Sequence, residues 1–240
     1  MKKLSILFTL VLLLIPAAMV NAQEPLEVGV PVAGEITNAS FEVEYTFTGK
    51  GGDVIILSMP TLDEDGYSND LDGEVILIDS SGEIVASTAQ NYDFYVALVT
   101  QLPADDDYLV IATRSDGRAG DSAGTFELEL IVPEVLAMDT SVAGSAGSET
   151  GSEYFVINSE EDFLFLYEKT EGDYFPEIEI KVLNDNNSGL DDFAIASGEV
   201  NRVAMGDFAA GIYVIEVSEG FNYYFDPVTA EFEVGITTTE

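Results

Sequence analysis

The stretch Phe41-Glu42-Val43-Glu44-Tyr45-Thr46-Phe47-Thr48 decides the fold class. Aromatic and branched side chains alternate with Glu and Thr. A strand turns successive side chains to opposite faces, so this period of two reads as a half-buried β-strand. Runs of similar character follow at 53–59, 74–79, 94–100, 108–113 and 125–131, separated by Gly, Asp, Asn and Ser at turn positions. A second series lies at 154–157, 163–167, 178–182, 193–196, 212–217 and 230–236. No window shows a persuasive helical stripe. Short strands with regular turn punctuation predict an all-β chain built as an antiparallel β-sandwich.

Between the two series the composition shifts. Pro133 closes the last strand of the first, and Ala143-Gly144-Ser145-Ala146-Gly147-Ser148-Glu149-Thr150-Gly151-Ser152 is small and polar. Residues 134–152 therefore read as a linker or as the opening loop of a second domain. The second series also echoes the first. Leu102-Pro103-Ala104-Asp105-Asp106-Asp107-Tyr108-Leu109-Val110-Ile111 parallels Phe208-Ala209-Ala210-Gly211-Ile212-Tyr213-Val214-Ile215, and Phe126-Glu127-Leu128-Glu129-Leu130 parallels Phe232-Glu233-Val234-Gly235-Ile236. Gly52-Asp53 has a candidate counterpart in Gly172-Asp173. These echoes predict tandem copies of one sandwich, at 23–133 and 153–240. With a full set of strands, residues 23–133 are expected to fold alone.

The motifs of the first copy resemble those of the bacterial pre-peptidase C-terminal domain. They are Gly29 to Ile36, then Gly51-Gly52-Asp53-Val54-Ile55-Ile56-Leu57, then Val75-Ile76-Leu77-Ile78-Asp79-Ser80-Ser81-Gly82 after an acidic loop. Leu102 to Ala112 and Phe126 to Leu130 complete the series. In the second copy only the Gly211-Ile212-Tyr213 turn and the closing strand match, so that copy is divergent. The resemblance implies a jelly-roll-like sandwich, and hence two such antiparallel β-sandwich domains in tandem. It also implies a non-catalytic module of the kind that accompanies secreted peptidases, aids secretion or attachment, and in some members binds calcium. No peptidase is joined to this chain, which leaves adhesion, scaffolding or a surface role as the implied function.

The amino terminus agrees with export. Lys2 and Lys3 precede an apolar run from Leu4 to Val20, and Val20-Asn21-Ala22 suits a signal peptidase, so residues 1–22 read as a signal peptide cut after Ala22. No Cys stands at the junction to carry lipid, and the mature product is expected to be extracellular or at the cell surface and free of the membrane. An uncleaved anchor is the competing reading of the same run. Loss of the leader removes two basic residues and no acid, which takes the formal charge from −37 to −39. Such a field repels phosphate and anionic headgroups within about a Debye length, so nucleic acid is not an expected partner. With no Cys in the chain, packing must support the fold without disulfides.

Chemistry is constrained by the same composition. Without His or Cys there is no Ser-His-Asp triad, no thiol nucleophile, and no imidazole or thiolate ligand for zinc. Carboxylates remain, and a secreted hydrolase using a carboxylate pair is the alternative to a non-enzymatic module. Asp139-Thr140-Ser141 departs from an aspartic peptidase motif at its third residue and reads as a loop. Sugar sites favour exposed Trp, and the chain has none.

Two binding features remain. The loop Asp63-Glu64-Asp65-Gly66-Tyr67-Ser68-Asn69-Asp70-Leu71-Asp72-Gly73 is dense in the oxygen ligands that calcium takes. Asp63, Asp65, Asn69, Asp70 and Asp72 are its candidate metal ligands, with calcium as the candidate cofactor. The competing reading is a hydrated acidic turn. Asn184, Asp185, Asn186, Asp191 and Asp192 make a comparable, less charged loop. Phe221-Asn222-Tyr223-Tyr224-Phe225 reads either as sandwich core or as a stacking platform, and Tyr92, Phe94 and Tyr95 read as core. A cell-surface glycan or a secreted protein is the expected kind of partner.

Overall fold

The computed structural model describes residues 23–61, 70–88, 95–147, 151–172, 176–183, 190–196, 202–218 and 229–238. The first half runs β1 (Glu24–Pro25), β2 (Val32–Ile36), β3 (Glu42–Gly49), β4 (Val54–Pro60), β5 (Gly73–Ile78), β6 (Ile84–Ser87), β7 (Tyr95–Gln101), β8 (Asp106–Arg114) and β9 (Gly124–Ile131). The second half runs β10 (Glu134–Val135), β11 (Thr140–Gly147), β12 (Glu153–Ser159), β13 (Phe163–Glu171), β14 (Glu177–Leu183), β15 (Leu190–Ala196), β16 (Arg202–Phe208), β17 (Gly211–Ser218) and β18 (Thr229–Thr238). Apart from a 3-10 turn at Gly117–Ala119, the regular structure among the described residues is strand. The chain is all-β.

Each half is a pair of sheets in one repeated order. In the first, β1-β3-β8-β5-β6 faces β2-β9-β4-β7; in the second, β10-β12-β17-β14-β15 faces β11-β18-β13-β16. Among the described strands pairing is antiparallel except where β1 meets β3 and β10 meets β12, which run parallel, and isolated parallel bridges join Val28 to Leu130 and Met138 to Ile236. The alternation at 41–48 behaves as the period of two requires: Tyr45 and Phe47 are buried, while Glu42 and Thr48 are exposed. One core, including Ile36, Tyr45, Leu57, Leu77, Val110 and Phe126, fills the space between the first two sheets. A second, including Phe155, Phe165, Ile180, Tyr213 and Phe232, fills the other pair.

Three details repeat because the same topology demands them. Tyr108 Oη donates to the Ala104 carbonyl at 2.7 Å and Tyr213 Oη to the Ala209 carbonyl at 3.1 Å, each satisfying a buried hydroxyl with backbone four residues upstream. Gly34 pairs with Phe126 and Gly144 with Phe232. In each pair the ring covers its glycine: a Cβ at Gly34 would collide with the Phe126 ring, and one at Gly144 would sit 2.6 Å from Phe232 Cε2. The turn into the second strand of each half uses a positive φ, 72° at Gly29 and 57° at Asp139.

Two expectations change. Within 134–152, expected as a linker or opening loop, Glu134–Val135 and Thr140–Gly147 are strands, and Thr140–Gly147 pairs along its whole length with β18. Its small residues reflect the Phe232 ring lying over Gly144 rather than a need for flexibility. Gly172-Asp173 is not the counterpart of Gly52-Asp53, because Gly52 lies in the β3–β4 turn and Gly172 follows β13. At Gly172 the φ is 95° and a Cβ would strike the Thr229 carbonyl, so its glycine serves a close approach to β18.

Candidate binding surfaces

Among the described residues both interiors are filled by packed side chains that are mainly apolar, and the exposed polar groups lie on the loops and the outer sheet faces. At the acidic loop, Asp63, Asp65 and Asn69 lie outside the described residues. Asp70 is exposed, and Asp72 leads into β5 with its carbonyl accepting Ser115 N–H at 2.8 Å. Burial, and then the charges of Asp116 and Asp72, push the Glu74 carboxyl up from its ordinary range. Asp72, Glu74 and Asp116 thus crowd negative charge at one end of the first sandwich. Among the described residues, no three acids come close enough to hold a metal ion. A calcium site here needs the ligands from 63–69 as well.

The same end is pinned by a cation. Arg114 is buried, and its guanidinium donates to the Gly117 carbonyl, to Asn38 Oδ1 and to the Ser122 carbonyl at 2.8–2.9 Å. These neutral acceptors tie the 115–122 loop to the β2–β3 loop. The charge is thereby spent on loop geometry.

At the opposite turns, two carboxylates act as caps. Asp79 accepts from Ser81 N–H, Ser81 Oγ and Glu83 N–H, and Asp106 accepts from Ser80 N–H and Oγ. These hydrogen bonds, from Ser81 and Ser80 foremost, hold both carboxyls below the usual range by stabilising the ionised form. This explains the Asp79-Ser80-Ser81-Gly82 motif as turn chemistry, with Gly82 at φ 85°.

Asp139 belongs to a shallow hollow of about 350 Å³ on the second half, lined also by Ser141, Leu166, Glu168, Glu233 and Gly235. Its Oδ1 accepts Thr237 Oγ at 2.8 Å, and its left-handed turn opens β11, so Asp139 serves the fold. Residues 221–225, Tyr92 and Phe94 lie outside the described residues, as do Asn184, Asp185 and Asn186.

A surface that sequence reasoning missed joins the halves. Val54, Ile56 and Val99, on the outer face of β2-β9-β4-β7, form one buried cluster with Val156, Leu183 and Val214, on the outer face of β10-β12-β17-β14-β15. Ile131, Tyr154 and Ile212 pack around them. A signal for it existed. Val54-Ile55-Ile56-Leu57, Phe155-Val156-Ile157 and Tyr213-Val214-Ile215 are unbroken apolar runs, and such runs mark strands buried on both faces.

Acids border this seam. Tyr154 Oη lies 3.1 Å from Glu216 Oε1, and burial, Glu216 and Glu129 raise its pKa. Glu129 is raised by burial and by Glu127, and Glu177 by burial, Glu179 and Glu216. Lys181 Nζ reaches Glu179 at 2.6 Å and offsets part of this charge.

No protein-family model matches the chain, and no curated protein matches it. Among solved structures, a Eubacterium rectale protein thought to be secreted aligns at 9% identity over 85% of this chain and 72% of its own, with a TM-score of 0.31. The exported protein XepA of PBSX aligns at 10% identity over 87% and 86%, with a TM-score of 0.28. The CUB1-EGF-CUB2 domains of rat MASP-1 align at 11% identity over 85% and 97%, with a TM-score of 0.24. Likenesses this weak carry no argument about function.

Proposed function

We propose that the chain is an exported, non-catalytic β-sandwich protein that works outside the cytoplasm as a binding, adhesion or structural module. One observation carries this reading: both sandwich interiors are closed by packed apolar side chains, so recognition falls to outer faces and loops dense in carboxylates. The leader at 1–22, the lack of His and Cys, and the resemblance to the pre-peptidase C-terminal domain support it. The test is retention of the exported protein on isolated cell envelope, on immobilised glycans and on co-secreted proteins, beside a panel of glycoside and peptide hydrolysis assays. Retention without turnover is the expected result. Turnover abolished by a single change such as Asp139→Asn or Glu233→Gln would replace this reading with a carboxylate hydrolase.

A second reading concerns calcium at the acidic loop, and it is favoured by the upward displacement of the Glu74 carboxyl, caused first by burial and then by the charges of Asp116 and Asp72. Carboxylates that repel one another in the folded state are relieved by a cation, so binding stabilises that state. Free calcium at about ten times its dissociation constant adds about 1.4 kcal/mol, which raises the melting temperature by several degrees. Magnesium at equal ionic strength is the control. An equal shift from both ions, or a shift that survives Asp70→Ala with Asp72→Ala, leaves a solvated turn.

A further inference from the structure

The two sandwiches close the same end differently. In the second half Phe163 and Phe208 stack at 5.1 Å, Tyr213 meets both edge-on, and all three are buried. Leu57 pairs with Leu130 as Phe165 pairs with Ile236, so Ile55, the preceding residue on that face, holds the place of Phe163. Leu102 leads into the Tyr108 corner as Phe208 leads into that of Tyr213. Phe47 returns one ring, because it pairs with Tyr108 where Ile157 pairs with Tyr213. The first half is therefore one ring short at this end.

A hollow of about 420 Å³ lies there, within the roughly 300–1,000 Å³ of ligand sites. Phe47, Ile55, Leu102 and Leu130, all buried, form its apolar floor. Val28 and Val132 form its lip and are 59% and 40% exposed. Met138, which bridges to Ile236 as Val28 bridges to Leu130, is instead half-buried against the second core. Exposed valines beside an open apolar floor mark a surface that binding would cover. The rim is acidic. Asp53 and Asp105 line it, Asp107 accepts Thr48 Oγ at 2.7 Å beside them, and Glu27 precedes the lip. Lys50 is the one base among the lining residues.

We propose that this hollow anchors a basic segment of a partner protein, taking one aromatic side chain while the rim carboxylates take the Lys or Arg residues that flank it. The inference rests on the reading of the chain as a binding module and names the partner's chemistry. A ring is the occupant because the second half fills this place with a ring of its own, and because Phe47 offers a ring to pack against. A basic segment is the occupant because Glu27, Asp53, Asp105 and Asp107 face a lone ammonium, so the field that repels an acidic surface attracts a cationic one. An anchor desolvated in a preformed pocket, with charges at its rim, is the arrangement that carries most of the binding energy in protein interfaces.

Fluorescence anisotropy of the exported protein with a labelled, end-blocked peptide, Lys-Lys-Ser-Phe-Ser-Lys-Lys, tests this. Saturable binding that weakens with salt is expected. Replacing Phe by Ala should weaken it about tenfold or more, the effect of losing a central anchor, and replacing each Lys by Glu should abolish it. Ile55→Phe supplies the missing ring from within and should also weaken binding about tenfold or more, whereas Lys50→Glu should strengthen it. If Ile55→Phe loses cooperative unfolding, a peptide with benzoylphenylalanine in place of Phe decides the site, with cross-links expected at Val28, Leu102 or Val132. Wild-type protein that does not bind, an Ala or Glu peptide that binds as tightly as the original, a folded Ile55→Phe that binds as wild type does, or cross-links confined to other residues would each overturn the proposal. Retention on cell envelope or glycans without peptide binding would overturn this partner and leave the module reading standing.

Discussion

The two halves share a strand order, a corner tyrosine and a glycine beneath a phenylalanine, yet few of their core residues match. The first core is mostly aliphatic around Tyr45, Phe47, Tyr108 and Phe126. The second is built on rings: Phe163 and Phe208 stack at 5.1 Å, Tyr213 meets both edge-on, and Phe155 meets Phe232 edge-on at 6.2 Å. The outer faces differ more. The four-stranded face is apolar at the seam in the first half, and the five-stranded face is apolar there in the second. Topology thus tolerates any core of suitable volume, whereas contact between the halves depends on a few outward side chains.

The largest test of that comparison truncates the equivalent rings. Phe126→Ala and Phe232→Ala should each cost about 3–5 kcal/mol, because each removes a buried ring and strands the glycine beneath it. Calorimetry should show the mutated half melting earlier. If both variants lower a single shared transition equally, the seam couples the halves into one cooperative unit.

Charging the seam comes next. Val214→Asp buries an unpaired carboxylate against Val54 and Ile56 and should cost about 2–4 kcal/mol, with strand content by circular dichroism unchanged. Leu166→Asp, on the half-buried outer side of β13, should cost less than about 1 kcal/mol. The fragment 23–133 should melt cooperatively through its own core. Its uncovered Val54, Ile56 and Val99 should lower its midpoint relative to the same half in the full chain. A fragment without a cooperative transition would show that the first core depends on the second half.

Smaller effects come from the corners. Tyr108→Phe and Tyr213→Phe each lose one hydrogen bond to a backbone carbonyl and should cost about 0.5–1.5 kcal/mol in chemical denaturation. Similar values would mark the corners as equivalent. A much larger one at Tyr213 would tie its ring contacts to Phe163 and Phe208 into that half's stability.

The smallest effect is pH. Glu74, Glu129 and Glu177 have raised folded pKa values, so the stability they contribute is present below the ordinary Glu value of 4.5 and is lost as pH rises through their folded values. Asp79 and Asp106 are lowered, so their contribution is present above the ordinary Asp value of 3.8 and is lost as pH falls through their folded values. The melting temperature should therefore rise as pH falls from neutral toward about 4.5 and drop below about 3.5. Replacing Glu129 and Glu177 by Gln should flatten the upper limb, and an unchanged limb would remove the seam acids from the explanation.

Local pattern carried a large part of the fold. The alternation at 41–48, the turn punctuation and the echoed tyrosines are short-range features, and short-range sterics make them legible in one dimension. The small-residue stretch at 143–147 misled because Gly, Ala and Ser serve a flexible linker and a strand beneath a ring equally well. Only pairing with Phe232, 88 positions beyond Gly144, decides between them.

By itself, the sequence determined an all-β chain, a repeat, a strongly negative surface, and the lack of thiol and imidazole chemistry, since composition and period act residue by residue. Which outward faces meet was decided only in three dimensions. Val54 and Val156 are 102 positions apart and become neighbours only when two complete sandwiches present their outer faces to each other. The unbroken apolar runs announced strands buried on both sides, but burial has no direction until the partner face is in place.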